Sequence, residues 1–172
     1  MKIQLKNLKP EETALFQIKM KEAFEQGLID RLGSADAGPV PPEDEADHAL
    51  SDESMDVFII AADGIPAGGT VIKREADGKY SLDLLFIFRE FLNKKIGFAA
   101  WQAIENHYPD AEIWETCTPY FERRNIHFYL NKCGFQIVEF FSEYHREEHD
   151  ITDEFKDIRF SGFFRFEKKM KR

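Results

Sequence analysis

The stretch from residue 80 to residue 107 constrains this chain more than any other. Tyr80-Ser81-Leu82-Asp83-Leu84-Leu85-Phe86-Ile87-Phe88 is nearly all apolar. It is strand-length, and so dense a run needs cover on both faces. After a short polar stretch the period changes. Ile96, Ala99, Ala100, Ala103, Ile104 and His107 fall at the i, i+3, i+4 spacing of one helix face. A buried strand that runs through a turn into an amphipathic helix predicts a layered structure, with the strand inside a sheet and the helix packed on it.

The flanking patterns extend this reading. Ile3 and Leu5 alternate with Gln4 and Lys6, which predicts a first strand over 2–8. Pro10 and the pair Glu11-Glu12 open a helix, where acidic groups suit the positive dipole end. Phe16, Met20, Ala23 and Phe24 form its apolar face, Gly27 offers its end, and a short second helix is expected over 28–32. Strands are expected over 57–61 and 70–73, joined by the turn Asp63-Gly64-Ile65-Pro66, with a second hairpin signal at Asp77-Gly78. Beyond the central helix, Tyr108-Pro109-Asp110 is a stop and 111–116 a short strand. Thr118 offers an N-cap and Pro119 a first helical position. Ile126, Tyr129, Leu130 and Cys133 share the next helix face, which Gly134 closes; strands follow over 135–141 and 158–166, then a charged tail over 167–172.

The order is therefore β-α-(α)-β-β-β-α-β-α-β-β. It reads as an α/β chain of the α+β kind, a mixed and mostly antiparallel sheet flanked by helices, in one domain over 1–172. Two segments carry no regular pattern. Residues 33–55 are rich in Pro and acidic groups, and 143–156 form a charged insert. Each reads either as a solvated loop or as a cover over a substrate site.

Composition narrows the function. The formal charge is −9, and no basic stripe of the kind nucleic-acid binders carry is present. No apolar run approaches the ~20 residues of a spanning helix, so neither a nucleic-acid nor a membrane partner is expected. Two cysteines, Cys117 and Cys133, suit a reducing cytosol, and Cys133 at apolar helical spacing reads as a small core residue. His107, His145 and His149 show no metal spacing, so no metal is expected. Seventeen Phe is high for this length, and the Phe-rich last strand is expected to offer a homodimer contact.

The start of the central helix can do chemistry. Its first backbone N–H groups lack intrahelical partners and carry partial positive charge, which suits a phosphate or pyrophosphate. Gly97 allows close approach to that backbone, and Lys94 and Lys95 add charge. Further on, Arg123-Arg124-Asn125-Ile126-His127-Phe128-Tyr129-Leu130-Asn131-Lys132-Cys133-Gly134-Phe135 closes a helix on Gly-Phe. With these two elements in this order the chain resembles the GNAT superfamily of N-acetyltransferases. Many members end their acetyl-CoA-binding helix on Tyr, a few polar residues and Gly-Phe, as Tyr129, Asn131, Lys132, Gly134 and Phe135 do here. The family's pyrophosphate loop, Q/R-x-x-G-x-G/A, falls on 92–97. Leu92 stands for Gln or Arg, Lys95 for the first Gly, Gly97 keeps the second, and Arg89 stands where Pro is frequent. The resemblance spans roughly 2–142 and is sharpest over 80–136.

The resemblance implies a set of roles. The strand before the loop splays from its neighbour, and the pantetheine arm pairs with the backbone of Phe86, Ile87 and Phe88. Asn93, Lys94, Lys95, Ile96, Gly97, Phe98 and Ala99 hold the pyrophosphate, with Asn125 and Phe128 also against the cofactor. Tyr129 protonates the departing thiolate. Acetyl-CoA is the co-substrate, and the acceptor is an amine of a small molecule or peptide. Glu115 leads the candidates for general base, ahead of Asp83 and His127. The alternatives are a non-catalytic acyl-CoA-binding module and an interaction protein.

Overall fold

The structure is a computed structural model and describes residues 1–33, 50–145 and 162–171. Seven strands form one sheet in the order β1-β2-β3-β4-β5-β7-β6. They are β1 (Ile3–Asn7), β2 (Met55–Ala62), β3 (Ile65–Arg74), β4 (Lys79–Ile87), β5 (Ile113–Pro119), β6 (Gln136–Ser142) and β7 (Gly162–Lys169). Every neighbouring pair is antiparallel except β4 and β5. The helices are α1 (Thr13–Leu32), α2 (Ile96–His107) and α3 (Arg123–His127), and α3 passes into a π-wound turn over Phe128–Cys133.

The expected mixed, mostly antiparallel sheet with flanking helices is present, and the differences have physical causes. Helix α1 does not stop at Gly27. It runs 20 residues in all, from Thr13 to Leu32, after which Gly33 takes a left-handed φ of 78° and its N–H bonds Ile29 O at 2.9 Å. A glycine inside a helix costs only about 1 kcal/mol, and continuing buries Leu28 to 3% exposure. No separate second helix therefore forms over 28–32. Strand β5 does not yield to a helix at Thr118-Pro119. It runs on to Pro119 because β7 pairs with it through Thr118↔Phe164 and Pro119↔Phe163, a long-range partnership that local capping signals cannot reveal. Likewise the charged tail is not all tail, since β7 continues through Glu167, Lys168 and Lys169 against β5. Most of the charged insert, together with 34–49 of the acidic loop and 158–161 of the expected last strand, lies outside the described residues.

The two faces of the sheet are covered by different helices. Phe16 and Met20 of α1 pack on Phe86, and Phe16 meets Phe86 edge-on at 5.3 Å between ring centroids. Gly69 makes this possible, because a Cβ there would lie 2.4 Å from Phe16 and 2.6 Å from Phe86. On the other face α2 and the π-wound turn enclose Trp101, Ile104, Trp114, Tyr129, Phe135 and Phe166. Cys133 is 2% exposed in this cluster, and burial pushes its thiol up to about 12. Strand β7 lies between β5 and β6, so both its edges are occupied; Phe166 is wholly buried and Phe164 packs against the same core.

Candidate active site

The sheet opens between β4 and β5. Their parallel ladder consists of Lys79↔Ile113, Tyr80↔Trp114 and Ser81↔Glu115, and then ends. Strand β5 pairs with β7 along its whole length, whereas β4 stays with β3 up to Ile87. The edge of β4 from Leu82 to Ile87 therefore has no strand beside it among the described residues. The last tie is a side chain: the Thr116 hydroxyl donates to Leu82 O at 2.8 Å. Just past the last backbone pair, β4 carries a bulge. Val71 faces Leu84 and Ile72 faces Leu82, so Asp83 is the extra residue.

From the open edge the chain turns through a 3₁₀ turn, Arg89–Phe91, into α2. Asn93 and Lys95 both take left-handed φ, 62° and 60°, and Lys95 is the N-cap of α2 with no side-chain hydrogen bond. The Ala99 N–H bonds Lys95 O at 3.2 Å, so the N–H groups of Ile96, Gly97 and Phe98 precede the first intrahelical bond. Lys94 holds its ammonium 5.0 Å over the Phe91 ring, and Lys94 and Lys95 are exposed. Lys95 thus has the backbone shape that favours glycine, in the place of the motif's first glycine.

Gly97 faces the opening. A Cβ there would meet Phe128 at 3.8 Å and Ile87 at 3.9 Å, ordinary contact distances, so packing within the chain does not demand a glycine. The open strand end, the helix start and the Tyr129 helix converge here through Ile87, Gly97 and Phe128. Phe86 turns its side chain to α1 instead, and Phe88 packs with that same cluster, which leaves backbone groups as what they offer the opening. Ile96 is buried, Ala99 half-buried and Phe98 exposed. Asn125 donates from Nδ2 to the Thr118 hydroxyl at 3.4 Å and ties the start of α3 to β5.

Tyr129 is 7% exposed, packed among Phe128, Phe135 and Phe166, on the helix side of the opening. Burial pushes its phenol up to about 12, and the hydrogen-bonding Thr116 hydroxyl pulls partly the other way. The same Thr116 marks the point where the strands part, so Tyr129 sits beside the fork. The π-wound turn that carries it is a feature often found at functional sites.

Glu115 is not brought together with Tyr129. It alternates with Thr116 along β5 and points to the other face, where Lys79 holds it at 2.8 Å and Arg165 at 2.5 Å. Arg165 reaches on to Glu139 at 2.9 Å, and Glu139 to His145 at 2.8 Å, so a ladder of charges crosses β4, β5, β7 and β6. His127 is exposed and bonded to Asn131 at 3.0 Å. Among the described residues no group of three or more His, Cys, Asp or Glu could hold a metal ion, and no helix is long and apolar enough to cross a membrane. Sequence reasoning missed the Thr116 tie, the bulge at Asp83 and the π winding. The alternation Thr116-Cys117-Thr118 was the one available hint, two polar residues aimed at the covered face.

Comparison with known proteins agrees with this geometry. The family model described as "Acetyltransferase (GNAT) family" matches residues 14–135. YrkN of Bacillus subtilis (strain 168), an uncharacterized protein, is 39% identical over 176 residues, covering 99% of this chain and 95% of that one. Among solved structures, a Bacillus subtilis acetyltransferase in complex with CoA superposes with a TM-score of 0.67 at 18% identity, covering 99% of both chains. The PaiA N-acetyltransferase of Thermoplasma acidophilum, in complex with coenzyme A, gives 0.66 at 16% identity over 99% of this chain and 100% of that one. A fork opened between the fourth and fifth strands, a helix start facing it and a matching family model over most of the chain lead to one conclusion: the chain belongs to the GNAT acetyltransferase family.

Proposed function

We propose that this protein transfers an acetyl group from acetyl-CoA directly to a primary amine of a small molecule or peptide. The observation that carries the reading is the convergence of Ile87, Gly97 and Phe128 at the open edge of β4. Among the described residues no strand lies beside the edge of β4 that faces away from β3 beyond Leu82, and this edge suits an extended amide-bearing arm, which can add to it as a strand would. The bare N–H groups of Ile96, Gly97 and Phe98 suit a diphosphate, with Asn93, Lys94, Lys95 and Ala99 around them. Asn125 and Phe128 line the side toward α3. Tyr129, protonated at any physiological pH, supports a thiolate leaving at the fork with its hydroxyl. The left-handed backbone at Lys95, the shape a glycine favours, supports a working transferase over a CoA-binding module without catalysis. The exposed Cys117 thiol, in no disulfide, suits a reducing cytoplasm.

Two measurements test this. Acetyl-CoA at ~100 times its dissociation constant is expected to stabilise the fold by about 2.7 kcal/mol. A panel of primary amines is expected to release CoA thiol from acetyl-CoA. No melting shift at millimolar acetyl-CoA removes the reading, and a shift without thiol release for any amine reduces it to binding.

A further inference from the structure

Two buried hydroxyls meet where the strands part. Trp114, Thr116 and Thr118 alternate along β5 onto the face packed by α2, and all three are buried. Thr116 lies opposite Phe166 of β7, a wholly buried member of the aromatic cluster that holds Tyr129. A valine would fill such a place with the same shape and no polar atom. A hydroxyl there costs stability unless it is bonded. It is bonded twice, to Leu82 O at 2.8 Å and to the Tyr129 phenol.

Counting protons fixes the direction of these bonds. A threonine hydroxyl has one proton and two lone pairs, and a phenol also has one proton. The Thr116 proton goes to Leu82 O, a carbonyl with no proton to give. The phenol must therefore donate to Thr116, and the resting chain runs from Tyr129 to Thr116 to Leu82 O. In this arrangement the phenol proton is taken up by Thr116 and is not offered to a group that enters the fork. Cys133, Cys117 and Glu122 act on the phenol through charge, whereas Thr116 acts through a hydrogen bond, so Thr116 is the neighbour that can aim it.

Resting on the acetyltransferase reading, we propose that Thr116 is a positioning residue for the transfer: it holds the Tyr129 hydroxyl at the fork and, as the thiolate leaves, turns its own proton from Leu82 O to the phenol oxygen. The chain of hydroxyls then runs the other way, from Thr116 to Tyr129 to sulfur. No covalent bond forms or breaks in either hydroxyl. Each turns about its own C–O bond, so the reversal needs no movement of a strand or helix. A phenol that accepts one hydrogen bond donates a stronger one, because bonds in a chain polarise one another. Leu82 O lies on the edge of β4 that looks across the gap, and once released it is left to an N–H of the bound reactants. The tie that spans the gap at rest thus readies Tyr129 when the gap is filled.

The test uses the full chain, acetyl-CoA and butylamine as a small alkylamine probe, with initial-rate thiol release as the readout. Thr116→Val keeps the shape of the side chain and removes the hydroxyl. It is expected to keep the acetyl-CoA melting shift and the KM for acetyl-CoA, and to lose about 3- to 10-fold in kcat, the weight of one neutral hydrogen bond. Thr116→Ser keeps the hydroxyl and is expected to hold kcat within about twofold of wild type. In a Tyr129→Phe background, Thr116→Val is expected to change kcat no further, because its effect passes through the phenol. A side chain that served packing alone would lower kcat by the same factor in both backgrounds. Wild-type kcat in a folded Thr116→Val overturns the proposal, and so does an equal loss with and without the phenol. If Thr116→Val does not fold, Thr116→Ser decides: retained kcat supports the hydroxyl's role, and a loss of about 10-fold assigns the site to the methyl and overturns it. A wild type that shows the melting shift but releases no thiol with butylamine or any amine of the panel overturns the transferase reading and this assignment with it.

Discussion

Replacing Tyr129 by Phe removes one hydroxyl and keeps the ring among Phe128, Phe135 and Phe166. The size of the effect follows from the phenol's environment. Burial holds its pKa at about 12, whereas a thiol titrates near ~8.5. Full transfer of the phenolic proton to a thiolate is then uphill by about 3.5 units, or about 5 kcal/mol. In the proposed reaction Tyr129 is therefore expected to donate a hydrogen bond to the sulfur as charge develops, with the thiol's proton coming from the amine. A hydrogen bond to a charged acceptor contributes about 1.5–3 kcal/mol, so kcat is expected to fall roughly 10- to 150-fold. The interaction strengthens only in the transition state, so the acetyl-CoA melting shift is expected to survive. Stability is expected to drop by about 1 kcal/mol, because Thr116 loses one partner and keeps Leu82 O. The assay is initial-rate thiol release at saturating acetyl-CoA and amine, in conditions where chemistry limits. An unchanged kcat refutes the reasoning and assigns Tyr129 to packing. A loss beyond about 10⁴ refutes the hydrogen-bond account in favour of obligatory proton transfer.

Gly97→Val is expected to fold, since a Cβ meets its neighbours only at 3.8 Å or beyond, yet to lose the acetyl-CoA melting shift because branched methyls fill the space before the helix N–H groups; wild-type binding shows that the loop is misplaced. Lys95→Gly relieves a left-handed backbone held by a non-glycine residue, and is expected to raise the melting temperature by about 2–4 °C, equivalent to about 1 kcal/mol; a lower melting temperature contradicts the strain. Tyr80 and Tyr129 are raised to about 12 and Tyr108 is raised further, each chiefly by burial. Above pH ~10 the unfolded chain loses protons that the folded chain keeps, so stability falls with rising pH at about 1.4 kcal/mol per unit for each tyrosine. Melting temperatures flat from pH 9 to about 12 rule this out.

Much of this architecture was legible because it is written in short-range periodicity. The apolar run of β4, the α2 face and the Gly134 cap each depend on neighbours within one turn or one strand. What could not be read depends on partners far along the chain. Pro119 looks like the first residue of a helix until β7 is known to pair with it. Gly27 looks like a helix end until Leu28 is known to be buried. The site divides in the same way. Gly97 and Tyr129 were placed by local motifs, whereas Glu115 stood out only as an acid on a strand near the fork. Its two cationic partners come from Lys79 and Arg165, and Arg165 is 50 residues away. Asp83 was visible as an acid in an apolar strand, but its position at a bulge depends on the β3 register.

The fork itself has a cause in strand pairing. Strand β5 meets β4 at only three positions, whereas it meets β7 at seven. The longer ladder sets its direction, so β5 follows β7 and leaves β4 as the strands advance. The bulge at Asp83 bends β4 at the same level, and increased local twist at a bulge carries its far end away. Thr116 bridges the first gap through its hydroxyl, which satisfies Leu82 O without continuing the ladder. Beyond it, the unpaired backbone of β4 is stable only if water or an added strand-like partner completes it. A ligand that pairs there replaces the missing strand, so binding and sheet closure are one event. Among the described residues, the gap that the pairing of β5 with β7 opens is where such a partner can complete the edge of β4.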